Sequence, residues 1–243
     1  MDTTPSVVSN MSFSEELKST NIDKWNKILS HKFIIDVAED TLPIGKFVFY
    51  LKQDQIFLNT FCDLLAAAAR ITYDKQTKLW FESLIHNTSR FEMPMQNEIL
   101  YQLEGNPEFT GVTAEETTLK YTSYMKRVSD SNNLAILVSA MAPCPWTYYE
   151  ISETLIKTNI KTEAYKKWLR FYSSKESEEQ ANQIKNLVNK LAKSADEREK
   201  IDMKNHFSVS CNYELEFWNM ATWHTLIRSN GARVTDINIS SYA

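Results

Sequence analysis

A chain of 243 residues that is 43% hydrophobic is long enough to bury one large core. Four glycines and six prolines are too few for the tight turns of a β-sandwich or the Gly-rich loops of a nucleotide-binding α/β fold. The net charge of −4, with Lys and Arg scattered along the chain, excludes a basic stripe for nucleic acid, and no apolar run is long enough to span a bilayer.

The first residues are polar, without the charged and apolar regions of a secretory leader, so a soluble, cytoplasmic protein is expected. Ser12-Phe13-Ser14-Glu15 has the form of a capping box and predicts a helix to about residue 30, followed by a short one over 33–40. Pro43 fits a helix start. Over 46–71 the apolar positions 47, 50, 51, 57, 58, 61, 64, 65 and 68 follow the period of a long core helix. A helix over 75–104, kinked near Pro94, should end at Gly105-Asn106-Pro107, and another should cover 114–129. A helix over 131–158 is interrupted by Pro143 and Pro145. Helices over 161–173, 176–194 and 196–226 complete the set, with Ser229-Asn230-Gly231 as the final stop. The reading is all-α: a single-domain bundle of long antiparallel helices over 13–226, between tails at 1–12 and 227–243.

Three residues sit badly in that pattern. Asp54 falls in the apolar stripe of its helix, among Tyr50, Leu51, Phe57, Leu58 and Phe61, where an ionised carboxylate is costly unless paired or hydrogen-bonded. It either holds a polar ligand group or pairs with a buried Arg or Tyr. Glu214 has the same relation to Tyr213, Phe217, Trp218 and Ala221, and a core-facing glutamate with a raised pKa suits acid–base work as well as structure. Cys144 lies between two prolines that remove two backbone donors in mid-bundle, so an irregular environment for its thiol is expected there. Three cysteines without a Cys-x-x-Cys pair fit free thiols in a reducing compartment, and Cys62 and Cys211 read as small core residues. Aromatics at 12% of the chain, with Tyr121, Tyr148, Tyr149 and Tyr172 on three predicted helices, suggest a pocket for a flat polar heterocycle.

In chain order, Tyr50-Leu51-Lys52-Gln53-Asp54, Tyr121-Thr122-Ser123-Tyr124-Met125, Met141-Ala142-Pro143-Cys144-Pro145-Trp146-Thr147-Tyr148, Trp168-Leu169-Arg170-Phe171-Tyr172 and Tyr213-Glu214-Leu215-Glu216-Phe217-Trp218 resemble the motifs of the TenA (thiaminase II) family. The match spans about residues 14–222 and includes separations of 23, 28 and 42 residues between Tyr121, Cys144, Tyr172 and Glu214. The resemblance implies a haem-oxygenase-like helical fold, a homotetramer, and hydrolysis of 4-amino-5-aminomethyl-2-methylpyrimidine or of thiamin without a metal or organic cofactor. It makes Cys144 the nucleophile, Glu214 the acid/base partner and Asp54 the anchor of the pyrimidine's amino edge. Phe57, Tyr121, Tyr148 and Tyr172 would line the pocket. Phe57 and Pro145 depart from the family pattern, which has a tyrosine three residues after the aspartate and often an aromatic after the cysteine.

Two other readings stay open at this point. Glu82/His86 and Asp202/His206 each place an acid and a histidine four apart, as a metal oxidase on a helical scaffold would, although both pairs sit in polar surroundings. A non-catalytic homologue that binds a pyrimidine or a partner is the other.

Overall fold

The computed structural model describes residues 11–105 and 112–223, and every regular element among them is helical. Ser12 opens α1 (Phe13–Thr20) with the expected reciprocal box: its hydroxyl accepts from the Glu15 amide at 3.4 Å while the Glu15 carboxylate accepts from the Ser12 amide at 2.7 Å. The single helix expected to residue 30 is two, α1 and α2 (Ile22–Leu29), because Asn21 turns back on the first. Its side-chain amide donates to the Leu17 carbonyl at 2.9 Å and its backbone N–H to Lys18 at 3.1 Å, a local competition that ends a helix.

Helix α3 (Lys32–Ala38) precedes α4 (Ile44–Ile71), which Pro43 caps. All nine apolar positions predicted for α4 are buried, and so are Gln53, Asp54 and Gln55, as befits a helix with neighbours on most of its faces. It packs along α5 (Lys75–Asn87) and α7 (Glu116–Asp130). The kink expected near Pro94 is a π-helical turn, Thr88–Glu92, joining α5 to α6 (Met93–Glu104). Pro94 has no N–H for the carbonyl of Arg90, and the wider turn absorbs one extra residue without leaving the helix. Gly105, at φ 83°, ends α6 in the left-handed region.

Asn132 at φ 52° and the Asn133 side chain, which accepts from the Ile136 amide at 3.0 Å, delay the next helix to α8 (Leu134–Met141). After Ala142 the chain resumes as α9 (Pro143–Leu155), so the proline interruption is one residue wide. Helices α10 (Glu163–Tyr172), α11 (Lys175–Ser194) and α12 (Glu197–Trp223) follow, α12 lying along α8. The tail at 1–10, Asn106-Pro107, the predicted last turn at 224–226 and the tail at 227–243 with Ser229-Asn230-Gly231 lie outside the described residues. No helix among the described residues is long and apolar enough to cross a membrane.

One polar knot fixes α9 against α1 and α2. The Glu150 carboxylate accepts from the Trp25 indole at 2.9 Å, from the Trp146 indole at 2.7 Å and from the Lys18 ammonium at 2.7 and 2.9 Å. Both indoles belong to well-buried side chains. Glu150→Ala leaves three donors without their acceptor and should lower unfolding stability by about 2 kcal/mol or more, with Glu150→Gln costing less. Urea denaturation checks this, and an unchanged midpoint would contradict it.

Candidate active site

The bundle encloses a cavity of about 550 Å³ with Asp54, Cys144, Tyr148 and Tyr172 on its wall. They come from α4 and from the consecutive helices α9 and α10, so the site exists only because α4 converges with a pair far from it in the chain. Glu214, Tyr121 and Phe57 are buried behind that wall, and Tyr149, about 100° round α9 from Tyr148, is not on it. Phe57 is buried against the ring of Tyr121 at 4.8 Å and that of Phe61 at 5.8 Å, so its missing hydroxyl belongs to this inner layer.

Asp54 is 3% exposed and its two hydrogen bonds converge on Oδ2, from the Gln96 amide at 2.6 Å and the Tyr50 hydroxyl at 3.3 Å. The Tyr50 hydroxyl, its one proton directed to Asp54, lies 3.2 Å from that of Tyr148, and Gln96 also donates to Tyr172 at 3.3 Å, so one chain of polar atoms joins α4, α6, α9 and α10. Glu214, also 3% exposed, accepts from the Tyr121 hydroxyl at 2.7 Å. Of the partners expected for a structural Asp54, an Arg or a Tyr hydroxyl, the Tyr50 hydroxyl is present; among the described residues the partners of Asp54 and Glu214 are hydroxyls and an amide, and none is basic.

Burial decides the protonation of this cluster. Desolvation, and then the charge of Glu92, lifts Asp54 from 3.8 to about 8 against the opposing bond from Gln96. Desolvation lifts Glu214 from 4.5 to about 7, with the Tyr121 hydroxyl pulling the other way. The Cys144 thiol is pushed well above its usual range by burial first, then by the carboxylates of Glu214, Asp54 and Glu92. In the ligand-free site the sulfur therefore carries its proton and a nearby carboxylate can take it, a pairing suited to a nucleophile activated only when needed.

Pro143 and Pro145 supply no N–H for the carbonyls of Ser139 and Met141, four residues back, which is why the helical ladder breaks where Cys144 meets the cavity. Cys144 occupies the second position of α9 and is partly exposed, whereas Cys211 is buried and Cys62 sits away from the wall.

A carboxylate not anticipated from the sequence also lines the cavity. Glu92, the last residue of the π-turn, accepts from the Tyr172 hydroxyl at 2.7 Å and from Thr88 at 3.1 Å, and desolvation raises its carboxyl. Its segment, Thr88-Ser89-Arg90-Phe91-Glu92, reads as an ordinary polar helix face; Pro94 was the one signal that the register changes there. Among the described residues neither acid–histidine pair is joined by a third His, Cys, Asp or Glu in a group that could hold an ion, and the Tyr124 hydroxyl lies 2.8 Å from Nδ1 of His206.

Known proteins resemble this chain in sequence and in fold. Residues 20–223 match the model of the TENA/THI-4/PQQC family. The chain is 32% identical over 212 residues to the aminopyrimidine aminohydrolase of Bacillus subtilis, covering 87% of this chain and 90% of that one. Its fold is similar to that of a TenA homologue from P. horikoshii, with a TM-score of 0.79 at 21% identity over 87% of this chain and 98% of that one. It is also similar to a Shewanella denitrificans domain described as having a heme oxygenase-like fold, with a TM-score of 0.67 at 12% identity over 88% of this chain and 93% of that one.

The raised carboxyls make stability depend on pH with a definite sign. Asp54 and Glu214 bind a proton more tightly folded than unfolded, so their contribution is full below about pH 4 and is lost as pH rises through about 7 and 8. The melting temperature of the ligand-free protein should fall between pH 5 and 8, and Asp54→Asn should flatten that slope. Calorimetry across the range is the check; an identical slope in the variant would contradict it.

Proposed function

Because the chain belongs to the TENA/THI-4/PQQC family, we propose that it is an aminopyrimidine aminohydrolase of thiamin salvage, converting the 5-aminomethyl group of a 4-aminopyrimidine to hydroxymethyl. The observation that carries this reading is the convergence of Cys144 and Asp54 on one cavity wall, with Glu214 close enough behind it for its charge to raise the thiol. A thiol beside carboxyls of near-neutral pKa is the equipment for nucleophilic addition to a ring that must be protonated as it is attacked.

In this mechanism Glu214 delivers a proton to a ring nitrogen while the Cys144 thiol loses its own to a neighbouring carboxylate and adds to a ring carbon. The electrons returned by the ring expel the exocyclic group. Water then adds at the exocyclic carbon, and departure of the thiolate restores the aromatic ring. Asp54 keeps Oδ1 for the amino edge of the pyrimidine, since both of its hydrogen bonds use Oδ2. Tyr148 and Tyr172 orient the ring from the wall, and Tyr121 and Phe57 support Glu214 from behind. No step calls for a metal or organic cofactor.

Thiamin cleavage is a second reading that one observation favours. A volume of about 550 Å³ is within the range of pockets that hold ligands larger than a single substituted pyrimidine, and leaves space for a second ring. Incubation of the wild type with each substrate ranks the two. Cys144→Ser should lower turnover of either by roughly 10³-fold with the helical signature intact. Absence of turnover by the wild type would leave a binding protein and overturn the enzyme.

The protein is further read as a cytoplasmic homotetramer. Three free cysteines suit a reducing compartment, and Leu79, Phe91 and Tyr101, each more than half exposed, offer apolar surface for subunit contact. Light scattering should return about four times the 28.2 kDa of one chain, and a monomer would refute the tetramer.

A further inference from the structure

We infer that Glu92 is a substrate-contacting residue that receives the protonated amine of the leaving group, and that the π-turn Thr88–Glu92 exists to aim it into the cavity. This rests on the hydrolase reading and adds to it a determinant of which substrates are accepted.

Three carboxyl groups, Asp54, Glu92 and Glu214, act on the Cys144 thiol. Among the described residues none of the three is in an ion pair, and the cationic side chains on the wall are Lys167, which pairs with Glu98, and Arg170. No cation of the protein already holds these carboxyl groups, so an entering ammonium group meets an acceptor that is free to pair with it. The three acids are not equivalent. Asp54 and Glu214 are each 3% exposed, Asp54 on the wall and Glu214 behind it, whereas Glu92 is partly exposed to the cavity beside Asn87 and Phe91.

The hydroxyls of Tyr172 and Thr88 bind Glu92 through Oε1 and Oε2 respectively. They hold the group in place without supplying charge. A carboxylate fixed by neutral donors, with lone pairs to spare, matches a primary ammonium, which carries three donors. The three acids then divide the work: Asp54 and Glu214 take the ring, Glu92 the exocyclic nitrogen.

The step balances. The exocyclic C–N bond breaks with its electron pair going to nitrogen, so the bound ammonium group leaves as ammonia. Water replaces it at the same carbon, forming a C–O bond. The proton that water loses passes to the Glu92 carboxylate and from there to ammonia, which departs as ammonium. Nothing is oxidised or reduced.

Two ligands that differ in one group provide the test: 4-amino-5-aminomethyl-2-methylpyrimidine, cationic at neutral pH, and its neutral 5-hydroxymethyl counterpart. Calorimetric binding is compared in Cys144→Ser, which cannot turn the amine over, and in Cys144→Ser carrying Glu92→Gln or Glu92→Asp. The amine should bind about 10- to 100-fold more weakly to the Gln variant, the value of one charge-assisted hydrogen bond. The hydroxymethyl compound should change less than about threefold, and the Asp variant should keep most of the preference for the amine. Equal weakening of both ligands, no weakening of either, or no binding of the amine to Cys144→Ser overturns the assignment. Wild-type turnover, measured separately, judges the hydrolase reading. Lost discrimination without wild-type turnover sinks that reading alone, and turnover with unaltered discrimination sinks only the role of Glu92.

Discussion

Burial of acid without base is the constraint on which the rest of the molecule depends. Asp54 and Glu214 are buried in the bundle with hydroxyls and an amide for partners, an arrangement that tends to keep each carboxyl protonated. Satisfying them requires Gln96 from α6, Tyr50 from α4 and Tyr121 from α7 to be held in register, and each is itself buried. The packing of large rings around them, with Trp168 and Trp218 fully buried beside Tyr50, excludes the water that would otherwise solvate the charges. What costs the fold stability is also what brings the pKa values of the site to the range where protons move at neutral pH.

Much of this was legible in the sequence, for one reason: an acid on an apolar stripe is a local contradiction. Asp54 and Glu214 stood out by helical spacing alone, and Cys144 by its two prolines. The long helices followed from the same periodicity. Glu92 escaped because Thr88-Ser89-Arg90 before it is polar and the π-turn brings it to the cavity, whereas Gln96 escaped because an uncharged amide among Met93, Ile99 and Leu100 is less of a contradiction than an acid. The break at Asn21 escaped because it depends on a side chain choosing its own backbone over solvent, which no hydrophobic pattern reports. Tyr148 and Tyr149 show the limit of a residue count: both are tyrosines on α9, and the helix turns one to the cavity and the other away.

The site is also braced from outside. Cys144 stands at the start of α9, and within the next six residues Trp146 and Glu150 tie that helix to α1 and α2 through one carboxylate. The nucleophile sits in the first turn of α9, directly after the break at Ala142, and helix ends are where local opening is easiest. Side chains that never touch the cavity therefore set how well its most reactive group is placed.

The π-turn gives this architecture an unusual means of change. Each residue of an α-helix advances the direction of its side chain by about 100°, so one residue gained or lost between Asn87 and Pro94 would swing Glu92 away from Tyr172 while leaving α5 and α6 able to form. Most routes to a new binding preference replace a side chain in place. Here a single insertion or deletion, the kind of event that usually ruins a helix, acts as a dial on which residue of an unaltered segment meets the ligand.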